Sequence, residues 1–276
     1  MKVKLYKPQN PRLQKYIECF YTLRRFAADE SVTYLAFPSI FSMVCLNAQE
    51  RIEQSGENLI FTHCPQNRLQ THIICDFRSA GWIRYEGAAD EIVIYFKPLG
   101  LNAFLEKNLT SYVPSIFAEF APFGDYQTIM TEIFALDGDE PRLRALENYW
   151  LSKYKGFEHP FLHRVIEEMV NDGGAASISE TALKNRISRP TLNKHFDLHI
   201  GTTPSQFKKV VRFRNAMKRH RQKISQENLA DISSGADYFD QSHMIKDFRA
   251  LTKHSPKNFF SKISSLEDGQ INWLFL

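Results

Sequence analysis

The segment 203–224, TPSQFKKVVRFRNAMKRHRQKI, constrains the fold of this chain more than any other segment. Thr203 is suited to cap a helix, and Pro204 fits the first helical position, where a backbone N–H is not needed. The pattern predicts one amphipathic helix with an apolar stripe. The stripe consists of Phe207, Val210, Val211, Met217 and Ile224, and the other faces carry Lys208, Lys209, Arg212, Arg214, Lys218, Arg219, Arg221 and Lys223.

These faces of segment 203–224 carry no acidic residue. Like charges four residues apart on a helix repel each other, so unmixed positive charge favours an anionic partner. The predicted helix is about 30 Å long, close to the ~34 Å between successive major-groove faces of B-DNA. We therefore interpret it as a spacer between two DNA-reading units. A solvated basic helix is the alternative that this segment alone leaves open.

Charge is distributed unevenly along the chain. Up to Glu158 there are 17 Lys and Arg against 19 Asp and Glu, and from His159 onward there are 18 against 12. Between Lys184 and Lys223 the only acidic residue is Asp197. A basic block within a well-patterned globular segment favours a nucleic-acid-binding face over a charged tail.

The length of 276 residues suits two domains, and a composition of 43% hydrophobic and 24% charged residues is typical of globular proteins. No apolar run approaches the ~20 residues of a membrane helix, and the N-terminus lacks the apolar region of a signal peptide. Cys19, Cys45, Cys64 and Cys75 have no disulfide-like spacing, which favours reduced thiols and a cytoplasmic location.

The N-terminal half reads as short β-strands flanked by helices. Asn10 and Pro11 predict a helix start, followed by Leu13, Tyr16 and Phe20 on one face. Strands are predicted near 31–37, 41–46, 58–63, 69–74, 79–85 and 91–97, with a polar loop over 47–57. Further helices are predicted near 101–109, 125–136, 142–154 and 161–170. This pattern predicts a small barrel or a sandwich, and we expect the first domain to cover residues 1–156.

From residue 175 onward the chain reads as helices and short turns. Ser179, Ser188, Ser225 and Asp240 are predicted helix caps, and Gly201 is a predicted left-handed stop. Two hydrophobic staples, Ile178 with Leu183 and Ile187 with Leu192, would fix the first two helix starts. The helices predicted from Ser188, Ser225 and Asp240 are expected to turn inward, respectively, Leu192 and Phe196, Leu229 and Ile232, and Met244, Phe248 and Leu251. A last helix is predicted to begin at Ser255 and Pro256.

The two halves of this region align with each other. Residues 188–196 match 240–248, and residues 202–207 match 254–259. A repeated helix-turn-helix followed by a Ser/Thr-Pro helix start is a sharper signal than either copy alone. The sequence therefore predicts two helix-turn-helix units joined by the spacer.

The same residues resemble the AraC/XylS family of bacterial transcription regulators over about 175–263. In the first unit the resemblance is carried by Ala182, Ser188, Leu192, Phe196, Gly201, Thr203, Pro204 and Phe207. In the second unit it is carried by Ile232, Tyr238, Asp240, Gln241, Ser242, His243, Phe248, Thr252, Ser255, Pro256 and Phe259. More weakly, residues 96–100 (FKPLG) resemble the sensor domains that precede such units, and this resemblance implies a cupin-like barrel.

The resemblance implies an α+β two-domain fold. An N-terminal β-rich sensor or dimerisation domain would precede an all-α DNA-binding domain over 159–264, followed by an apolar tail over 265–276. Three positions depart from the family pattern. Asp237 and Lys253 replace glycines, at a cost of roughly 1 kcal/mol each if their backbones are left-handed, and Met244 replaces a phenylalanine, which should be tolerated.

We expect the helices near 189–198 and 241–252 to read double-stranded DNA. Arg and Lys suit guanine, while Asn and Gln suit adenine in the major groove. The predicted DNA-binding residues on these helices are Arg189, Asn193, Lys194, Gln241, Ser242, Lys246 and Arg249; those expected to reach bases are Asn193, Lys194, Gln241, Ser242 and Lys246. Lys208, Lys209 and Arg212 are interpreted as phosphate contacts or as structural residues.

The N-terminal half contains no recognised catalytic motif, so we expect no enzyme activity, no cofactor and no metal there. His63, Cys64, His72 and Cys75 do not have the spacing of a common zinc site. Nothing beyond His63 marks Cys64 as an activated nucleophile. The aromatic residues are expected either to fill the core or to line a ligand pocket; they are Tyr34, Phe37, Phe41, Phe61, Phe77, Trp82, Tyr85, Tyr95 and Phe96.

Three classes of function remain open on the sequence alone. The leading one is a ligand-responsive, sequence-specific transcription regulator, with a small-molecule effector in the N-terminal domain. The second is a DNA-binding protein whose N-terminal domain only dimerises. The third is an enzyme domain fused to a DNA-binding domain. The resemblance implies RNA polymerase as a partner, while the effector, the operator, the sign of regulation and a homodimer are left open.

Overall fold

A computed structural model of the chain describes residues 1–26, 29–66, 68–75, 79–115, 117–222, 233, 238, 240–262, 264–266 and 271–275. These residues form an N-terminal β-rich part and a C-terminal helical part, as predicted. None of the helices in these ranges combines the length and the apolarity that crossing a bilayer requires.

Two six-stranded sheets make up the β-rich part, in the orders β1-β2-β9-β4-β7-β10 and β11-β12-β3-β8-β6-β5. Neighbouring strands run antiparallel except β6 and β8, which are parallel. The strands are β1 (Lys2–Tyr6), β2 (Ile17–Arg25), β3 (Val32–Ala36), β4 (Ser42–Ala48), β5 (Glu50–Ser55), β6 (Asn58–His63), β7 (Gln70–Ile74), β8 (Gly81–Glu86), β9 (Ala89–Phe96), β10 (Phe117–Glu119), β11 (Ser264–Leu266) and β12 (Ile271–Phe275).

Helices cover one face of the first sheet and make up most of the C-terminal part. They are α1 (Tyr126–Ala135), α2 (Asp139–Ser152), α3 (Leu162–Asn171), α4 (Ile178–Lys184), α5 (Arg189–Ile200), α6 (Pro204–Gln222), α7 (Gln241–Thr252) and α8 (Pro256–Lys262). The helices predicted near 125–136, 142–154 and 161–170 correspond to α1, α2 and α3.

Alternation along β9 divides the N-terminal core into two layers. Ile92, Ile94 and Phe96 belong to the cluster that packs against α1 and α2 around Trp150. Val93, on the opposite face of the strand, belongs to the cluster between the two sheets. Successive strand residues point to opposite faces, so one strand serves both layers and is almost entirely buried.

The helix predicted from Asn10 is wrong. The chain makes a 3-10 turn at Leu13–Lys15 and then enters β2. The apolar residues fit a helical spacing, but β2 lies between β1 and β9 in the first sheet. A strand that is buried on both faces reads as a continuous apolar run, which periodicity cannot distinguish from a buried helix.

The polar loop predicted over 47–57 is also wrong, because it contains β5. This strand forms an antiparallel hairpin with β6 and lies at the edge of its sheet, where polar side chains are exposed. The helix predicted near 101–109 is replaced by two 3-10 turns, Leu101–Ala103 and Leu109–Ser111. The six predicted strands correspond to β3, β4 and β6 to β9, whereas β1 and β10 were missed.

The C-terminal tail forms two paired strands. β11 pairs with β12, and β12 pairs antiparallel with β3, with Leu274 opposite Leu35 and Phe275 opposite Tyr34. The tail therefore extends the second sheet of the N-terminal part.

The first helix-turn-helix unit begins two residues earlier than expected. Ser177, rather than Ser179, caps α4 and forms a capping box with Glu180. The predicted staple of Ile178 with Leu183 is wrong, since Leu183 is 79% exposed. Ser177 and Ser179 both fit the sequence pattern of a cap. Only Glu180, three residues after Ser177, distinguishes Ser177 as the cap.

The internal repeat appears as matching helix boundaries. Ser188 and Asp240 cap α5 and α7 by accepting hydrogen bonds from the amides of Thr191 and His243. Each helix ends at a left-handed residue, Gly201 with φ 79° and Lys253 with φ 63°. Pro204 and Pro256 then begin α6 and α8, in register with the repeat. The helix predicted from Ser225 and the position of Asp237 lie outside the described residues, apart from Ser233.

Candidate nucleic-acid interface

The first exposed face lies on α5, the second helix of the first unit. Arg189, Asn193 and Lys194 are exposed, while Leu192 and Phe196 are fully buried on the other side. The buried pair packs in a cluster with residues of α3 and α6. The core therefore fixes which face of α5 is turned to solvent, and that face carries two cations and an amide.

The second exposed face lies on α7. The four predicted residues Gln241, Ser242, Lys246 and Arg249 are all exposed. The opposite side of α7 packs into a second cluster through Met244, Phe248 and Leu251. The buried residues Leu192 and Phe196 of α5 occupy the same positions of the repeat as Met244 and Phe248 of α7. The two predicted recognition helices therefore expose equivalent faces.

Helix α6 joins both units, as the spacer was expected to do. Phe207 and Val211 belong to the cluster of the first unit, and Phe213 and Met217 belong to that of the second. One helix thus contributes to two cores, and the two exposed faces are held by a single 19-residue element.

Arg212 of α6 is buried at the junction of the two units. Its Nη2 donates to Asp247 Oδ2 at 2.9 Å, and its Nη1 donates to the carbonyl of Gly174 at 3.3 Å. Its guanidinium also lies 5.6 Å from the ring centroid of Tyr238. The charge is neutralised inside the protein, so Arg212 links α6, α7 and the turn after α3.

Lys208 is held in a similar way one turn earlier. Its Nζ donates to the carbonyls of Ala175 at 3.1 Å and Ala176 at 2.5 Å. Burial, with the charge of Arg212, lowers the pKa of Lys208. Gly174 allows the close approach, because a Cβ there would lie 2.9 Å from the Lys208 carbonyl oxygen and its φ is +82°. Lys209, by contrast, is partly exposed.

The second unit packs directly on the N-terminal part. Phe37 lies edge-on to Phe213 and Phe259, with ring centroids 5.9 and 5.3 Å apart. The amide of Ala80 donates to the carbonyl of Leu251 at 2.6 Å. Arg214 of α6 donates to the carbonyls of Phe37 and Pro38. Among the basic residues of the spacer, Lys208, Arg212 and Arg214 thus bind groups of the protein itself.

The first unit meets the N-terminal part through polar groups that the sequence analysis did not single out. The Asn102 side chain donates to the carbonyl of His199 at 2.8 Å. His159, in the segment before α3, lies with its Nε2 3.0 Å from Nδ1 of His195. Burial lowers the pKa of His159 to about 4, with a contribution from the neighbouring histidines. The spacing of His195 and His199, four residues apart on a helix, was the available signal.

Of the cysteines and histidines that the sequence analysis tested as a zinc site, Cys64, His72 and Cys75 each have other contacts in the structure. His72 is buried and stacks on Phe117 at 4.3 Å, and burial lowers its pKa to about 4. Cys75 is buried in the first-sheet core, and the Cys64 thiol donates to Gln66 Oε1. Within the described ranges, the group of side chains that could hold a metal ion is instead His159, His195 and His199.

Residues 164–262 match the family model described as a helix-turn-helix domain. Among curated proteins, none matches the sequence significantly. The chain is similar to the structure of ToxT from Vibrio cholerae, with 8% identity, a TM-score of 0.46, and coverage of 94% of this chain and 97% of that chain.

It is likewise similar to the unsaturated fatty acid-bound ToxT of Vibrio cholerae strain SCE256, with 10% identity, a TM-score of 0.45 and coverage of 94% of both chains. On the family match, residues 164–262 form a helix-turn-helix domain. This match agrees with the resemblance of the two units to the AraC/XylS family.

Proposed function

We propose that the chain is a sequence-specific transcription regulator that reads two successive major-groove segments with α5 and α7. The observation that carries this proposal is the matched pair of exposed helix faces on one rigid spacer. Each face offers Lys or Arg together with an amide or hydroxyl, which are the groups that discriminate bases in the major groove.

The ten predicted DNA-binding residues then fall into three roles. Asn193, Lys194, Gln241, Ser242 and Lys246 read bases. Arg189, Arg249 and Lys209 contact phosphates, which take half to two-thirds of protein–DNA hydrogen bonds. Lys208 and Arg212 hold the two units in register, because their side chains are engaged with carbonyl and carboxylate groups of the protein.

The test is selection of bound sequences from a randomised duplex library at two salt concentrations. We expect enrichment of two recognition blocks about 10 base pairs apart, with affinity falling by about 0.9 log unit per phosphate contact per log unit of salt. Binding that is salt-sensitive but enriches no sequence would contradict sequence-specific reading.

Lys246→Ala sharpens this test. It should cost roughly 1–3 kcal/mol on the selected site and relax the preference at one base position of one block. The matched control is Lys107→Ala, which removes an exposed lysine of the N-terminal part. If Lys246→Ala weakens binding to all sequences equally, Lys246 belongs to the phosphate-contacting group instead.

We further propose that the regulator responds to a small molecule bound in the N-terminal part. A half-open cleft of about 800 Å³ lies between β1 and α2. Its lining combines apolar side chains with charged and polar ones, among them Leu5, Phe20, Leu143, Arg144 and Glu147. Ligand sites are commonly concave, mostly apolar and of 300–1,000 Å³, so the cleft suits an amphipathic effector.

Leu151→Trp tests the cleft by filling it. Small amphipathic acids and amines would be screened for a rise in the melting temperature of the wild-type chain and for a change in operator affinity. An effector of this site should act on the wild type and lose its effect in Leu151→Trp. An effector that acts equally on both proteins would place the ligand site elsewhere. If no compound affects the wild type, the N-terminal domain only dimerises and binds no effector.

A further inference from the structure

Three imidazoles from two segments of the chain converge beside the first recognition helix. His195 and His199 lie four residues apart on α5, so they share one helix face. His159 comes from the segment before α3. One ring nitrogen from each lies within 4.8 Å of the others, although 36 residues separate His159 from His195 along the chain.

We propose that His159, His195 and His199 form a binding site for a transition-metal ion of the Zn²⁺, Co²⁺, Ni²⁺ and Cu²⁺ class. Imidazole nitrogen suits these ions, whereas Mg²⁺ and Ca²⁺ require oxygen ligands. Three histidines that leave a fourth position open are an established way of holding Zn²⁺. The third ligand also ties α5 to the segment that connects the two parts of the chain.

The nitrogen separations suit such a site after small rotations of the rings. Two nitrogens bound to tetrahedral Zn²⁺ at about 2.0–2.1 Å lie roughly 3.3 Å apart. His159 Nε2 and His195 Nδ1 are already 3.0 Å apart. The remaining separations, of at most 4.8 Å, close by side-chain rotation without a shift of α5.

Asn102 provides the outer support that metal-binding histidines usually have. Its Oδ1 lies 3.3 Å from Nδ1 of His199, and its Nδ2 donates to the His199 carbonyl at 2.8 Å. With Nδ1 protonated and donating to Asn102, Nε2 of His199 carries the free lone pair. An amide or carbonyl oxygen that receives the second N–H fixes the tautomer and the ring orientation of a ligand.

Aromatic rings enclose the three imidazoles. Phe161 lies 5.3 Å from the His195 ring, and Phe157 lies 5.1 Å from the His199 ring, between centroids. An apolar shell of this kind limits access of water to a metal site. The rings thus leave a partly closed position that is lined by nitrogen ligands.

His159 has a second contact that metal binding must change. Its Nδ1 accepts a hydrogen bond from the amide of Leu162 at 3.2 Å, at the start of α3. When a metal ion binds Nε2 of the neutral His159 ring, the ring proton lies on Nδ1. There it faces the Leu162 N–H, and Nδ1 can no longer accept that hydrogen bond. Loading the site therefore releases the Leu162 amide, and its hydrogen exchange reports on binding at His159 specifically.

The test is titration of the full-length chain, prepared without a histidine tag, with CoCl₂. Tetrahedral Co²⁺ coordination gives visible absorption bands, which we expect to saturate at one ion per chain. Replacement by Zn²⁺ should abolish the bands. The Leu162 amide should exchange faster after loading, while amides in the β-sheets stay unchanged.

Variants separate the site from adventitious binding. His195→Ala and His199→Ala should abolish the bands, and Asn102→Ala should weaken binding about 10–100-fold as the outer support is lost. The matched control is His163→Ala, which removes an exposed histidine next to the cluster that lies outside the ligand set. Near-ultraviolet circular dichroism establishes that each variant is folded.

Two results would overturn the proposal. One is the absence of visible bands in the folded wild-type chain at saturating Co²⁺. The other is binding that survives unchanged in folded His195→Ala and His199→Ala variants, which would place the ion elsewhere. Because the readout is metal binding, neither result depends on whether the chain recognises a specific DNA sequence.

Discussion

Helices α5 and α7 have the same length, and each has a side-chain N-cap and a left-handed C-cap, but different groups hold them against the N-terminal part. Helix α5 belongs to a core shared with α3, α6 and Leu99 of the N-terminal part, and it also meets that part through Asn102. Helix α7 belongs to a core that continues into the second sheet through Leu35, Phe37 and Ala80. Both units thus dock through apolar and polar contacts, but the N-terminal part contributes more buried apolar side chains to the core of the second unit.

This difference indicates how a signal in the N-terminal part would reach the DNA-reading faces. An apolar core resists partial opening, because its packing is dense and removed contacts are not replaced. Polar contacts at a partly exposed surface exchange more readily with water. We therefore expect the second unit to follow movements of the sheet and the first unit to be released or clamped independently.

The largest expected effect comes from the buried ion pair of the second unit. Asp247→Ala leaves the Arg212 charge buried without its carboxylate, which should lower the free energy of unfolding by about 3–5 kcal/mol. Urea denaturation of Asp247→Ala and of the wild type measures this loss in the free energy of unfolding. An apolar pair, Arg212→Met with Asp247→Leu, should recover most of the loss.

The first unit supplies the matched control for that pair. Lys184 and Glu168 form an ion pair in which the lysine side chain is 68% exposed. Lys184→Ala should cost no more than about 1 kcal/mol. Equal costs for Asp247→Ala and Lys184→Ala would mean that the ion pair of Arg212 contributes no more than a surface pair.

The next largest effect tests the shared core. Phe37 is 5% exposed and packs edge-on against two phenylalanines of the second unit. Phe37→Ala should cost about 3 kcal/mol. Hydrogen exchange should show loss of protection in α7 and little change in α5; equal losses in both helices would contradict separate docking.

Cap substitutions compare the starts of the two helices. Ser188→Ala and Asp240→Ala each remove the side-chain acceptor of one backbone amide. Each should lower the free energy of unfolding by about 0.5–2 kcal/mol. Thermal denaturation measures both, and Ser205→Ala, at an exposed α6 position after its cap, is the control. A cap variant that behaves like Ser205→Ala would show that its cap contributes nothing.

The smallest expected effect concerns the helix ends. Lys253 has a left-handed backbone where the first unit has Gly201. Lys253→Gly should raise the free energy of unfolding by about 0.5–1 kcal/mol, and Gly201→Ala should lower it by about 1 kcal/mol. If Lys253→Gly destabilises the protein, contacts of the lysine side chain outweigh the backbone strain.

The sequence predicted the helical part well because its signals are local. The caps at Ser188 and Asp240, the stop at Gly201 and the Ser/Thr-Pro starts lie within a few residues of the elements they define. The buried stripes of α5 and α7 follow directly from their spacing. Six strands of the N-terminal part were equally readable from short β-prone runs between turns.

The errors arose where the decisive contacts are distant in sequence. β2 became a strand because it lies between β1 and β9, and β9 comes much later in the sequence. β5 is an exception, because its hairpin with β6 is local and its polar composition concealed it. The engagement of Arg212 with Asp247 and the approach of His159 to His195 likewise depend on tertiary packing. From sequence alone, a basic residue that forms an internal ion pair therefore cannot be distinguished from one that contacts DNA.

The central claim is that two faces on one spacer read two separate DNA segments. The most direct measurement is selection from a randomised duplex library with the wild type, Asn193→Ala and Lys246→Ala. The account predicts two blocks about 10 base pairs apart, with Asn193→Ala relaxing only one and Lys246→Ala only the other. A single enriched block, or two blocks that both variants relax together, would contradict it.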